Sequence, residues 1–109
     1  MFKHVTMKTE YLKNLPEAWQ TIAKVFTALG DPHRQRILLI FEPGERLNVS
    51  QIAETSTLSR PAVSHHLKIL REAGVLGSCK EGKEVFFWVE KAFLQDSLEK
   101  VLHYINTEA

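Results

Sequence analysis

The chain has 109 residues, 44% of them hydrophobic and 25% charged, and 14 Lys+Arg against 13 Asp+Glu give it a net charge of +1. This length suits one domain with one ordinary core and excludes a large enzyme with a separate cofactor domain. The single cysteine excludes an intramolecular disulfide framework and a four-cysteine zinc site. The near-neutral balance neither requires nor excludes a nucleic-acid partner.

Membrane insertion and secretion are not expected. The longest apolar runs, residues 37–41 and 85–89, hold five residues each, whereas a membrane-crossing helix needs roughly 18. Residues 1–8 lack the apolar stretch and the small-residue cleavage site of a secretion signal. A cytoplasmic location is therefore predicted.

The chain divides into an arm and a domain. Residues 1–15 are polar and weakly patterned, and we interpret them as an N-terminal arm with a helical turn near Tyr11 and Leu12. Residues 16–109 are predicted to form the folded domain. Its first helix begins at Glu17, after Pro16, and ends before Gly30, a typical start and stop. Its apolar stripe consists of Ala18, Trp19, Ile22, Val25, Phe26 and Leu29.

Three more helices follow in quick succession. Asp31-Pro32 predicts a capped start for the second, which carries apolar residues through Phe41 and stops before Pro43-Gly44. Asn48 and Gln51 have the spacing of a capping box and open a short third helix over 51–55. The fourth helix covers 60–73 and ends at Gly74, the usual residue for a left-handed helix end.

The C-terminal part predicts two strands and a last helix. Residues 75–80 and 84–89 are strand-like and flank a turn at 81–83, and a helix over 91–105 follows. The expected fold is thus mainly α with a small β-hairpin, in the order helix, helix, helix, helix, hairpin, helix. Two short helices separated by a turn and followed by a hairpin describe a winged helix-turn-helix.

The fourth helix has two different faces. Val63, Leu67, Leu70 and Gly74 share a face and are expected to point into the core. The opposite face offers donors of the kind that bind phosphates and base edges, and small residues there allow close approach. These residues are Arg60, Ala62, Ser64, His65, Lys68 and Arg71. Residues 60–89 carry +2 and residues 90–109 carry −2, although charge alone also fits solvated helix surfaces.

Two segments resemble a known family. ALGDPHRQRIL at 28–38 and LSRPAVSHHLKILREAGVL at 58–76 are similar to the ArsR-type winged helix-turn-helix repressors, over roughly residues 17–105. The resemblance implies a homodimeric, sequence-specific regulator of double-stranded DNA, usually a repressor released by a signal. It implies a helix cap at Ser59, groove contacts from Arg60, Ser64 and His65, and phosphate contacts from Lys68, Lys80 and Lys83. The implied dimer interface, on the first and last helices, comprises Trp19, Ile22, Phe26, Leu94, Leu98, Val101, Leu102 and Ile105.

The metal sites of that family are not expected here, and no cofactor is predicted. Asn48 and Ser50 stand where many relatives have a Cys-x-Cys pair, and amide and hydroxyl groups are poor ligands for soft metals. Another subgroup uses carboxylates and histidines on the last helix. Here only Asp96 and His103 are available, with Leu98 where that pattern needs histidine, so at most a weak site across a dimer is conceivable.

Several readings stay open at this stage. Cys79 is interpreted as a half-buried strand residue, although a lone thiol can be oxidised. His33 is expected to be a capping or surface group, and His65 and His66 diverge by about 100° on a helix, which prevents a shared metal. The alternatives to a repressor are a protein-binding winged helix and an activator that displaces another DNA-bound protein. No phosphate-binding loop, nucleophile elbow or zinc-protease pair supports an enzyme.

Overall fold

The computed structural model describes residues 9, 11 and 13–109, which form five helices and a three-stranded antiparallel sheet. Most of the predicted arm, including Leu12, lies outside the described residues, and Tyr11 has 3₁₀ geometry. The elements in chain order are α1 (Glu17–Leu29), α2 (Pro32–Leu39), β1 (Leu47–Asn48), α3 (Val49–Glu54), α4 (Arg60–Glu72), β2 (Leu76–Glu81), β3 (Glu84–Val89) and α5 (Lys91–Thr107). None of the helices among the described residues has the length and apolarity to cross a membrane.

The start of α2 follows the predicted capping. Asp31 Oδ1 accepts hydrogen bonds from the backbone N–H groups of His33, at 2.8 Å, and Arg34, at 3.3 Å. Pro32 occupies the first turn, where its missing N–H costs no helical bond. The helix ends earlier than expected, at Leu39. Ile40 is its C-cap, and the N–H of Ile40 donates to the carbonyl oxygen three residues back, on Ile37, instead of four. Ile40 and Phe41 therefore lie beyond α2 rather than within it.

The sheet has one strand more than the sequence predicted. β1 pairs antiparallel with β3, with Leu47 opposite Phe87 and Asn48 opposite Phe86, so the strand order is β1-β3-β2. A strand of two residues has no alternation that a sequence pattern could reveal. Directly after it, the capping box of Asn48 and Gln51 is present in both directions. As a result α3 begins at Val49, two residues before the predicted start.

The wing is a tight hairpin. β2 and β3 pair in register down to Glu81 and Glu84, which leaves a two-residue turn of Gly82 and Lys83 instead of the predicted three. Gly82 has φ +63°, the left-handed backbone that such turns need. β2 starts at Leu76, one residue later than expected, because Gly74, with φ +86°, first ends the preceding helix.

One core joins the helices to the sheet. The predicted inward face of α4 is confirmed, since Val63, Leu67 and Leu70 are at most 1% exposed. The buried cluster consists of Val25, Ala28, Ile37, Ile52, Val63, Leu67, Leu70, Ala73, Val75, Leu76 and Phe87. α4 thus has its apolar side fixed against α1, α2, α3 and β2, and its other side is left to solvent.

The predicted stripe on α1 divides into two faces. Ile22 and Val25 are buried, as expected, but Phe26 is 46% exposed and Ala18 is exposed as well. In α5, Ser97 is the buried residue, whereas Leu98, Leu102 and Ile105 are 42–56% exposed. Both terminal helices therefore use part of their apolar surface inside the chain and present the rest outward.

Candidate nucleic-acid interface

Two serine hydroxyl groups accept hydrogen bonds from the first turn of α4. Ser59 Oγ accepts a hydrogen bond from the backbone N–H of Ala62 at 3.3 Å and caps the helix. Arg60 Nη1 donates to Ser50 Oγ in the first turn of α3, at 2.8 Å. The guanidinium of Arg60 is thereby positioned by the first helix of the helix-turn-helix, while the side chain stays exposed.

The outer face of α4 is polar and open to solvent. Ser64, His65, Lys68 and Arg71 are all exposed, as the sequence predicted, and Ala62 is half-buried beside them. The small side chains leave space for another backbone or a base edge to approach. The basic groups offer charge-assisted hydrogen bonds to anions such as phosphate.

The wing places further basic groups next to this face. Lys80 and Lys83 are exposed on the hairpin, Lys83 in its turn. Arg60, Ser50 and Lys83 line one cleft of about 130 Å³, together with Glu84 of β3. The structure thus brings together Arg60 and Lys83, residues 23 positions apart, at the junction of helix-turn-helix and wing.

Contacts between the wing and the segment just before α3 were not foreseen. Asn48 Nδ2 donates to Glu84 Oε1 at 2.8 Å, and Arg46 forms an ion pair with Glu81. The guanidinium of Arg46 also lies over the ring of Trp88, 5.2 Å from its centroid. Only the Asn48–Gln51 spacing had signalled an organised segment here, and nothing local indicated its partners on β2 and β3.

The side chains at the positions considered for metal ligands contact other protein groups. The amide of Asn48 binds Gln51 and Glu84, and Ser50 accepts from Arg60. Asp96 forms an ion pair with Lys100 at 3.0 Å. His103 is exposed and lines the same surface cleft as Asp96. Within residues 9, 11 and 13–109 no three His, Cys, Asp or Glu side chains are grouped to hold a metal.

The cysteine prediction was wrong in one respect. Cys79 is exposed rather than half-buried, because it lies on the outward side of β2 opposite Phe86. Its thiol is 3.7 Å from the carbonyl oxygen of Lys80.

A second surface consists of apolar side chains on α1 and α5. Trp19 of α1 meets Tyr104 of α5 edge to face, with ring centroids 5.4 Å apart. Exposed large apolar residues on these two helices are Phe26, Leu98, Leu102, Tyr104 and Ile105. Among the residues predicted for a dimer interface, Leu94 and Val101 are half-buried, and Ile22, at 3% exposure, packs inside the chain.

Comparison with known proteins gives this arrangement a family. The model of the bacterial regulatory protein arsR family matches residues 31–78, from the cap of α2 into β2. The transcriptional repressor SdpR of Bacillus subtilis is 37% identical over 82 residues, covering 75% of this chain and 90% of SdpR. The chain belongs to the ArsR family.

Solved structures of other proteins have the same architecture. An ArsR-like transcriptional regulator from Rhodococcus sp. RHA1 is 30% identical, covers 83% of each chain and superposes with a TM-score of 0.71. Reduced HlyU from Vibrio cholerae is 25% identical, covering 93% of this chain and 100% of its own, with a TM-score of 0.63. This ArsR-family protein is a DNA-binding transcriptional regulator with a winged-helix fold. The family is one of transcriptional regulators rather than enzymes.

Proposed function

We propose that the protein is a homodimeric repressor that reads an inverted-repeat operator, with α4 in the major groove and the wing along the DNA backbone. The observation that carries this proposal is the exposed polar face of α4, with Arg60 positioned by Ser50 and flanked by Lys83. Arg60, Ser64 and His65 contact base edges, Ala62 allows close approach, and Ser59 caps the helix. Lys68, Arg71, Lys80 and Lys83 contact phosphates.

The dimer half of the proposal is supported by the apolar surface of α1 and α5. Leu98, Leu102 and Ile105 are each at least 42% exposed, and such a continuous apolar surface is costly to leave in water. A second copy related by two-fold symmetry would cover it with the same surface. Symmetry would then place two α4 helices about one helical turn of DNA apart, which requires an inverted repeat.

The test is binding of the full chain to duplexes from its own promoter region and to shuffled duplexes of equal composition, by fluorescence anisotropy at about 0.15 M salt. The proposal expects the promoter duplex to bind at least about 1000-fold more tightly, the lower end of the range of specific regulators. Equal affinity for both duplexes would contradict it.

The same protein and duplexes also distinguish two other functions. A protein-binding winged helix is favoured by the near-neutral total charge and by the −2 charge of residues 90–109, and it predicts no preference for any duplex. An activator that displaces another DNA-bound protein would bind the same operator but raise transcription from it. A reporter assay with and without the protein separates that case from repression. A cytoplasmic location, where the operator DNA is found, is part of the proposal.

A further inference from the structure

One guanidinium links three helices behind the DNA-facing surface. Arg34 of α2 donates from Nε to the carbonyl oxygen of Ala28 at 2.6 Å and from Nη2 to that of Thr27 at 3.2 Å. These carbonyls lie in the last turn of α1, where helical partners run out and negative partial charge collects. Because α1 has no basic residue in its last turn, the positive charge that balances these carbonyls comes from Arg34 of α2.

The third contact of Arg34 is to α4. Its Nη1 lies 3.2 Å from Nδ1 of His66. Arginine is always protonated and can only donate, so Nδ1 of His66 must accept, and the ring is neutral with its proton on Nε2. His66 is half-buried and follows directly after the exposed His65. The end of α1 is thus connected to the middle of the DNA-reading helix through two side chains.

The surroundings of His66 disfavour a proton. Burial lowers the pKa of its imidazole, the positive charges of Arg34, His33 and His65 lower it further, and Asp31 opposes them. The ring of His33 is 5.6 Å from that of His66, and Arg36 Nη1 lies 3.1 Å from Nδ1 of His33. The charged and titratable groups acting on this ring are therefore Asp31, His33 and Arg34 from α2 and its cap, and His65 from α4. Arg36 contacts His33, and the α1 carbonyl oxygens contact Arg34.

We propose that Arg34 is a positioning residue for DNA binding, which fixes α4 to the end of α1 through neutral His66, and that protonation of His66 releases this link. A proton on Nδ1 turns the acceptor into a donor and places two cations about 3 Å apart. Asp31, the carboxylate that acts on His66 among the residues that the structure describes, already accepts two backbone N–H groups. The inference rests on the proposed role of α4 in reading DNA.

The test compares operator affinity at pH 7.5 and pH 5.5 for the full-length wild type and for His66→Gln, whose amide oxygen accepts from Arg34 but does not titrate. Between these pH values the wild type is expected to lose about three- to tenfold in affinity relative to His66→Gln, because part of the wild-type protein gains the proton that breaks the link while the glutamine variant keeps its acceptor. The His103→Gln variant removes an exposed histidine of α5 and should retain the wild-type pH profile. Parallel profiles of wild type and His66→Gln would overturn the proposal.

A second measurement does not depend on DNA. Imidazole ¹⁵N spectra of the full chain should show His66 as the Nε2–H tautomer at pH 7.5. Arg34→Lys should change that signal, because one ammonium nitrogen replaces the three guanidinium nitrogens that bind the three acceptors. A His66 proton on Nδ1, or a signal that Arg34→Lys leaves unchanged, would overturn the link. If no variant binds the operator at pH 7.5 while the spectra agree, the proposed function fails and the link between α1 and α4 stands.

Discussion

The ring of Phe93 covers the Cα atom of Gly74, so closely that a Cβ on Gly74 would lie 2.7 Å from Cε2 of the ring. Gly74 ends the turn after α4 with a φ of +86°, and Phe93 lies in the first turn of α5. This contact therefore fixes the direction in which the chain leaves α4. It also fixes the position at which the first turn of α5 packs.

Gly74→Ala is expected to destabilise the protein more than Gly82→Ala. Both residues have positive φ, but nothing lies within 4 Å of a Cβ on Gly82. The turn variant should lose about 1 kcal/mol of unfolding free energy from backbone strain, and Gly74→Ala about 1–3 kcal/mol more from the clash with Phe93. Urea unfolding followed by circular dichroism measures both, and equal losses would show that Phe93 yields freely.

Arg60→Ala and Lys83→Ala should weaken DNA binding in different ways. Loss of Arg60 should cost about 1–3 kcal/mol on the operator and relax base preference, because a guanidinium in the groove discriminates between bases. Loss of Lys83 should weaken all duplexes alike and reduce the salt slope by about 1, as expected for one phosphate contact. Lys24→Ala removes the same charge from α1 and should change neither. A preserved base preference in Arg60→Ala would argue against groove contact by this side chain.

Leu102→Asp should reduce the solution mass from two chains to one. Leu102 is 56% exposed on α5, and a carboxylate there would be buried without a partner in the proposed dimer. Leu39→Asp is the matched control, since Leu39 is 80% exposed on α2, away from the α1 and α5 surface. Sedimentation velocity at micromolar concentration distinguishes the two. Should both variants keep the dimer mass, the interface lies elsewhere.

Asp31→Asn should reduce the acid sensitivity of folding stability. Desolvation raises the pKa of Asp31, but the N–H groups of Arg34 and His33, with the charge of Arg34, outweigh it and hold the pKa below its ordinary value of 3.8. A lowered folded-state pKa gives stability that is present above pH 3.8 and is lost as pH falls through the folded value. The wild-type advantage over Asp31→Asn should therefore shrink as pH falls from 5 to below 4. Thermal melts across this range measure it, and an advantage that grows in acid would have the wrong sign.

The features that the sequence predicted well are local in the chain. Asp31-Pro32, the Asn48–Gln51 capping box and Gly74 each act on backbone groups within about three residues, and the structure confirms all three. The inward face of α4 was also predictable, because Val63, Leu67 and Leu70 repeat at helical spacing over three turns.

The features that the sequence did not reveal depend on distant partners. β1 exists because Leu47 and Asn48 meet Phe87 and Phe86, and no residue next to them signals that pairing. Arg34 and His66 are 32 residues apart and both were in the family motif, but only the packed helices show that they meet. The contacts of the surface residues with DNA and with a second chain stay predictions for the same reason, since they involve partners outside this chain.

The contacts of Asn48 limit the lengths of operator half-site that this protein is expected to accommodate. It caps α3 with its oxygen, binds Glu84 of the wing with its nitrogen, and belongs to a strand paired with β3. The wing and the start of α3 are therefore joined by a sheet rather than by a hinge, and α3 in turn packs against α4. Insertion of one base pair between the groove contacts and the wing contacts should not be absorbed by bending of the protein, so each half-site has a fixed length.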